Sequence, residues 1–319
     1  MKDRLPVVDT DESLAVRAAW LHYVGGLTQA AVAKQLGVPS VKAHRLIARA
    51  VADGVVKVSI DGDITGCVEL ETRLARVFGL EYCEVAPDLG EEGLPLRALG
   101  QAGAGFLKRA IELGEHRVIG LGHGRTLAAA VHLMPRLAAR DVRFVSLLGG
   151  LTRNYSVNPH DVMHRIAEKT GALAYVMPVP FFANSTEDRE VLLAQRGVGE
   201  VFDLANNADL KIVGIGTVEA DAQLVASGMI EPKEIRAISR DGAAGELLGH
   251  FFDINGRMLE TPLTARTLSV SFRGRDDDRI VAVAGGPAKT GAIRAVLESR
   301  TLYGLITDER TAQALLEGL

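Results

Sequence analysis

Five stretches of this sequence carry side chains whose type and spacing could do chemistry. The first gathers Thr28, Gln29, Ser40, Lys42, His44, Arg45 and Arg49 within little more than twenty residues. Groups of these kinds contact nucleic-acid phosphates and the donor and acceptor edges of bases. The second is Gly122-His123-Gly124-Arg125-Thr126, in which small residues let backbone N–H groups approach an anion or a hydroxyl. The third is Gly149-Gly150, read as a permissive turn running into the polar Thr152-Arg153-Asn154. The fourth is Glu246, a carboxylate read at a helix start behind the glycine-bearing run Asp241–Gly245, and the fifth is Lys289, at a helix start behind Gly285-Gly286. Backbone donors, hydroxyls, one carboxylate and one ammonium suit a small polyhydroxylated molecule. Neither a catalytic pair nor a metal cluster is legible. Cys67 and Cys83 stand far apart without a CxxC partner or a nearby His, as reduced thiols of a cytoplasmic protein do.

The elements that must position the first group are two short helices and a turn over Thr28–Asp53. Ala30, Ala31, Ala33 and Leu36 form a stripe at three-to-four spacing, with Thr28 as N-cap and Gly37 as the break. Val38 fills the crossing, and Leu46, Ile47 and Ala50 turn the second helix inward, leaving Lys42, His44, Arg45 and Arg49 outside. A preceding helix over Leu14–Val24 supplies a third, with Ala15, Ala18, Ala19 and either Leu21 or Tyr23 inward. Val55 to Ile60 alternates as the strand of a small wing. From Ser13 to Ile60 six Lys and Arg residues face the single acid Asp53, in a chain of net charge -4. A basic face on an acidic protein points to DNA phosphates.

The chain has 319 residues, 47% hydrophobic and 24% charged, as expected of about two globular domains. No run approaches the roughly twenty uncharged apolar residues that span a bilayer, and the first thirteen residues are too acidic for a signal peptide. The reading is therefore a cytoplasmic protein without a membrane partner. Residues 1–62 are expected to form a winged helix-turn-helix DNA-binding domain and 63–319 an effector-binding and oligomerisation domain. Within the latter a helix over Val68–Phe78 serves as connector. Apolar strands are expected over 82–87, 117–121, 142–148, 172–179, 210–215, 280–284 and 302–307. Helices are expected over Leu96–Leu113, Thr126–Met134, His160–Thr170 and Asp188–Asn206. Continuous apolar runs between helices make a parallel sheet covered on both faces, with ligands at the carboxyl ends of its strands.

The order and spacing of YVGGLTQAAVAKQLGV, HRLIARAVADGVV, GLGHGRTL, VSLLGGLTRN, YVMPVP, DLKIVGIGT, GAAGELLGHFFD, VAVAGGPAK and LITDERTAQALL resemble the SorC/DeoR family of sugar-responsive bacterial transcription regulators, from about Leu14 to Leu315. The resemblance implies an α/β architecture. A winged helix-turn-helix would precede a Rossmann-like effector domain similar to ribose-5-phosphate isomerase and glucosamine-6-phosphate deaminase. It also implies homodimers or homotetramers, operator DNA as partner, a sugar, sugar phosphate or polyol as effector, and no cofactor. By motif, Gly122–Thr126, Glu246 and Lys289 would line the effector pocket. Two positions depart from the family pattern. Leu148 stands where some relatives carry a basic residue, and the second helix opens Pro39-Ser40-Val41-Lys42 where relatives more often show Ser-Arg-Pro-Thr. An alternative from another class is an isomerase-like enzyme with Glu246 or Asp241 as base on a sugar phosphate.

Overall fold

The computed structural model describes residues 11–56, 65–151, 160–274 and 278–318. They gather into two compact units divided between residues 63 and 64. In the smaller, α1 (Asp11–Ala19) continues into a π turn (Trp20–Val24) and is followed by α2 (Gln29–Leu36) and α3 (Ser40–Ala52). The Thr28 hydroxyl caps α2 by accepting the Ala31 N–H at 3.3 Å, and Gly37 ends it in the left-handed conformation at φ 66°. Ala15, Ala18, Ala19, Leu21, Val32, Ala33, Ala43, Leu46, Ile47 and Ala50 are its buried core, with Val38 packed against it.

Two sequence expectations change here. Ala30 is exposed and Val32 takes its place inward, because the capped start of α2 turns its stripe to Val32, Ala33 and Leu36. Leu21 is buried while Tyr23 faces solvent. Of the wing strand expected over 55–60, residues 57–60 lie outside the described residues; Val55 and Val56 are not in a strand.

The larger unit runs α4 (Thr65–Phe78), β1 (Tyr82–Ala86), α5 (Leu96–Leu113), β2 (Val118–Leu121), α6 (Arg125–Leu133), β3 (Arg143–Leu151), α7 (Met163–Thr170), β4 (Leu173–Pro180), α8 (Thr186–Leu193), α9 (Val198–Asn206) and β5 (Leu210–Val213). After these come α10 (Gln223–Ala226), α11 (Pro232–Arg240), β6 (Ala243–Leu247), β7 (His250–Asp253), β8 (Met258–Leu259), β9 (Ile280–Val283), α12 (Thr290–Glu298), β10 (Gly304–Asp308) and α13 (Glu309–Leu316).

Seven strands form one parallel sheet in the order β1-β10-β9-β5-β2-β3-β4. Both faces are covered: along β9, Ile280 and Ala282 pack into one apolar layer while Val281 and Val283 pack into the other. That is why its strands read as unbroken apolar runs.

Helix α4 is more than the connector expected. Leu74 and Phe78 are fully buried, and the helix packs on β1 and α13. The long helix expected over Asp188–Asn206 is two, broken where Gly197 turns left-handed. The small antiparallel sheet β6-β7-β8 was not foreseen. Nor was the fully buried Lys211 on β5, whose ammonium pairs with Asp278 and donates to the Asn206 carbonyl at 3.0 Å.

Candidate functional site

Strands β9, β5 and β2 are neighbours in the sheet, so the loops after their carboxyl ends converge on one cavity. After β2 the chain supplies His123, Gly124, Arg125 and Thr126, the last three opening α6. After β5 come Gly214, Ile215, Gly216 and Thr217. After β9 a tight turn delivers Lys289 to the start of α12. The Gly286 N–H holds that turn by donating to the Asp308 carboxylate at 3.0 Å and to the Thr311 hydroxyl at 2.8 Å. Glu246 enters from the antiparallel sheet, because β6 lies beside Gly216 through a pair of backbone hydrogen bonds of 2.9 and 3.0 Å. Glycine is required at 216, since a Cβ there would come within 2.1 Å of the Glu246 carboxylate. Leu148, Phe181, Leu224 and Leu248 give the cavity its apolar walls.

Burial decides the electrostatics. It raises the Glu246 carboxyl to about 7, against the opposing pull of the Gly249 N–H and Lys289. Desolvation lowers Lys289 to about 8, helped by the Arg125 charge and resisted by Glu246. The Lys289 ammonium donates to the Ile215 carbonyl at 2.6 Å. His123, edge-on to Phe181, is pushed down to about 4 by desolvation and by His160. Near neutrality the cavity therefore holds a neutral imidazole, a half-ionised carboxyl and two cations. The Thr126 hydroxyl donates to the Val283 carbonyl at 2.8 Å, which leaves its lone pairs as acceptors for a ligand.

These shifts have opposite consequences for stability. Unfolded, Glu246 ionises near 4.5, whereas folded it keeps its proton to about 7. The stability it contributes is thus complete below 4.5 and lost as pH rises to about 7. His123 works the other way: its contribution is complete above 6.5 and lost as pH falls through about 4. Glu246→Gln is expected to flatten the fall in stability of the large unit from pH 5 to 7, where one carboxyl sets a slope of up to about 1.4 kcal/mol per pH unit. Urea-unfolding midpoints at the two pH values measure this, and an unaltered slope in the variant would refute it.

The cavity brings together six of the residues singled out for an effector, the four loop residues His123, Gly124, Arg125 and Thr126 and the two charged partners Glu246 and Lys289, with Gly122 one residue before the loop group. Glu246 lies in strand β6 rather than at a helix start. Gly149 and Gly150 do not line the cavity. Strand β3 continues through them, and a Cβ at Gly149 would lie 2.3 Å from the Pro180 carbonyl oxygen, so this glycine serves the close pairing of β3 with β4. Gln223 and Phe181 line the cavity and were missed, because no glycine motif or charge marks them in the sequence; Thr217 also lines it, and the signal that could have found it is the preceding Gly214-Ile215-Gly216 at the end of an apolar strand.

In the smaller unit, Ser40, Lys42, His44, Arg45 and Arg49 all lie exposed along α3, and Thr28 and Gln29 stand exposed at the start of α2. The His44 ring nitrogen Nδ1 and the Gln29 side-chain oxygen are 3.0 Å apart. Lys42 pairs with Asp11 at 3.1 Å and Arg49 with Asp53 at 3.3 Å. Exposed pairs of this kind are worth only about 0–1 kcal/mol, so either base can exchange its carboxylate for a phosphate. Arg45 has no hydrogen-bond or ion-pair partner among the described residues.

Residues 62–317 match the family model described as “Putative sugar-binding domain”. Over 310 residues the chain is 70% identical to the erythritol catabolism regulatory protein EryD of Brucella abortus (strain 2308), covering 97% of this chain and 98% of that protein. It is 35% identical over 312 residues to the transcriptional regulator LsrR of Enterobacter sp. (strain 638), with 96% and 94% covered. Among solved structures, the full-length sorbitol operon regulator SorC from Klebsiella pneumoniae matches at TM-score 0.72 and 28% identity, covering 97% of this chain and 99% of that one.

Proposed function

Because the chain belongs to the SorC family of sugar-responsive transcription regulators, we propose that it is a cytoplasmic repressor of a polyol catabolic operon whose DNA affinity is set by erythritol or a phosphorylated derivative. The observation that carries this reading is the 70% identity, over nearly the whole of both chains, to a regulator of erythritol catabolism. The cavity supports it with hydroxyl-binding and anion-binding groups side by side. The isomerase-like alternative is overturned: the relatives matched over the whole chain are transcription regulators, not enzymes.

In this reading, Lys42, His44 and Arg45 meet base edges in the major groove, and Arg49, Thr28, Gln29 and Ser40 meet the backbone. Two or four copies bind together. Effector bound among Gly122–Thr126, Glu246 and Lys289 favours one arrangement of the assembly by about 1–3 kcal/mol, enough to change operator occupancy. Arg45→Ala is expected to weaken operator binding by about 1–3 kcal/mol, roughly 5- to 150-fold, with the large unit's unfolding unchanged. A gel-shift titration checks this, and undiminished affinity would remove Arg45 from the interface.

The primary test is binding of the purified chain to its own upstream DNA, titrated with erythritol, erythritol phosphates and other polyols and pentose phosphates. A change in DNA affinity with erythritol or its phosphate supports the reading; no response to either, with a response to another compound, overturns the effector. The pH dependence separates the two candidates. Glu246 gains charge through about pH 7 and Lys289 loses it through about pH 8. A phosphate ester is therefore expected to lose potency steadily from pH 6.5 to 8.5, while the neutral polyol stays level.

A further inference from the structure

Helix α3 buries Ala43, Leu46, Ile47 and Ala50 along one side. At about 100° per residue, the line about 180° from them carries Val41, Arg45 and Ala48, all three of them exposed. Lys42 and Arg49 stand on one flank of that line, held toward Asp11 and Asp53. His44 stands on the other flank, against Gln29. The outermost line of a basic helix is therefore apolar except for Arg45. Val41 is 73% exposed and takes no part in the core of the unit. Valine is also a weaker helix former than alanine, so neither packing nor helix stability accounts for it.

On the DNA-binding reading above, on which this inference rests, we propose that Val41 reads the 5-methyl group of a thymine beside the base pair that Arg45 reads. A recognition helix lies in the major groove with its N-terminal residues at the base edges, and Val41 is the second residue of α3. The phosphate strands border the groove, where the cations on the two flanks of α3 meet them, and the line between those flanks faces the groove floor. On that floor the apolar group a base presents is the thymine methyl. Set against a donor or acceptor edge, Val41 would leave it unpaired at a cost. Set against a methyl, it removes apolar surface of both from water. Its β-branched side chain holds one strongly preferred rotamer in a helix, so its methyls are aimed before binding. Four residues of helix rise about 6 Å, under two base-pair steps of about 3.4 Å. The thymine thus lies roughly one or two base pairs from a guanine whose O6 and N7 Arg45 engages.

Replacing thymine by deoxyuridine removes this methyl and leaves every hydrogen-bonding group in place. The full-length chain is footprinted on its own upstream DNA, and each protected thymine is replaced in turn while affinity is followed by fluorescence anisotropy. A thymine within about two base pairs of a guanine whose discrimination is lost in Arg45→Ala is expected to cost about fourfold on replacement, the worth of one buried methyl. Val41→Ala is expected to bind the thymine DNA about fourfold more weakly than the parent and to bind the thymine and uracil versions alike, while it still discriminates the guanine. A distorted helix would instead weaken both DNAs and the guanine discrimination together. A parent chain that binds its DNA but is weakened by no uracil replacement overturns the proposal. So does a Val41→Ala variant that keeps the full difference between thymine and uracil, or one that loses the guanine along with the methyl. A chain that binds no upstream DNA overturns the regulator reading, and this inference with it.

Discussion

Lys211→Ala is expected to destabilise the large unit by about 3–5 kcal/mol, a large share of the ~5–15 kcal/mol that holds a domain folded. Lys211 is fully buried on a central strand, and its ammonium pairs with an Asp278 that is itself 1% exposed. Removing the ammonium strands that carboxylate without water. Its second oxygen still accepts the Arg273 backbone N–H at 2.7 Å, and the Arg273 guanidinium stands 3.5 Å from its first oxygen, but that guanidinium is 44% exposed and too far to replace the buried ammonium in full. The control is Lys211→Met combined with Asp278→Leu. It removes both charges and is expected to recover most of the loss, because a buried pair contributes little against apolar groups of similar volume. Urea unfolding of the three proteins measures the effect. A single variant as stable as the parent would show that Asp278 finds another partner.

Lys289→Ala is expected to weaken the response to a phosphorylated effector by roughly one to two orders of magnitude while leaving effector-free DNA binding unchanged. Its ammonium shares the cavity with Glu246 and Arg125 and, among the described residues, donates only to the Ile215 carbonyl. A charged hydrogen bond to a ligand oxygen is worth about 1.5–3 kcal/mol, so the half-maximal effector concentration rises roughly 10- to 150-fold. Leu148, which brings β3 to the cavity wall, is uncharged, so β3 supplies no second cation there to compensate. Lys289→Arg, which keeps the charge but not the shape, is expected to retain part of the response. A full response in Lys289→Ala would take this residue out of effector recognition.

Much of this architecture was legible in the sequence, and the failures have physical causes. Helix α5 was read with its observed limits, because its apolar stripe is long and Gly114 closes it in the left-handed conformation. The sheet strands were read because burial on both faces makes them apolar without interruption. The same rule hid Lys211, whose run LKIVGI reads as apolar despite a cation at its second position. The antiparallel sheet was missed because β6 and β7 are only five and four residues long, and the register slips between Ala243 and Gly245 of β6. That omission placed Glu246 at a helix start, when its position comes from the β-bridge to Gly216. Gly149 was read as a turn because a glycine pair marks turns and close backbone approaches alike; only the neighbouring strand distinguishes the two.

The pairing of β1 with β10, Tyr82 opposite Gly304, joins the first and last strands of the large unit. On the ribosome, β1 therefore waits as an unpaired edge until almost the whole chain has been made. At about 5–20 residues per second that wait lasts roughly 10–45 s. The three-helix unit closes on local contacts alone, so each newly made molecule completes its reading head well before its sensor. Premature termination anywhere before β10 leaves a sensor that cannot close its sheet, attached to a reading head that has already folded.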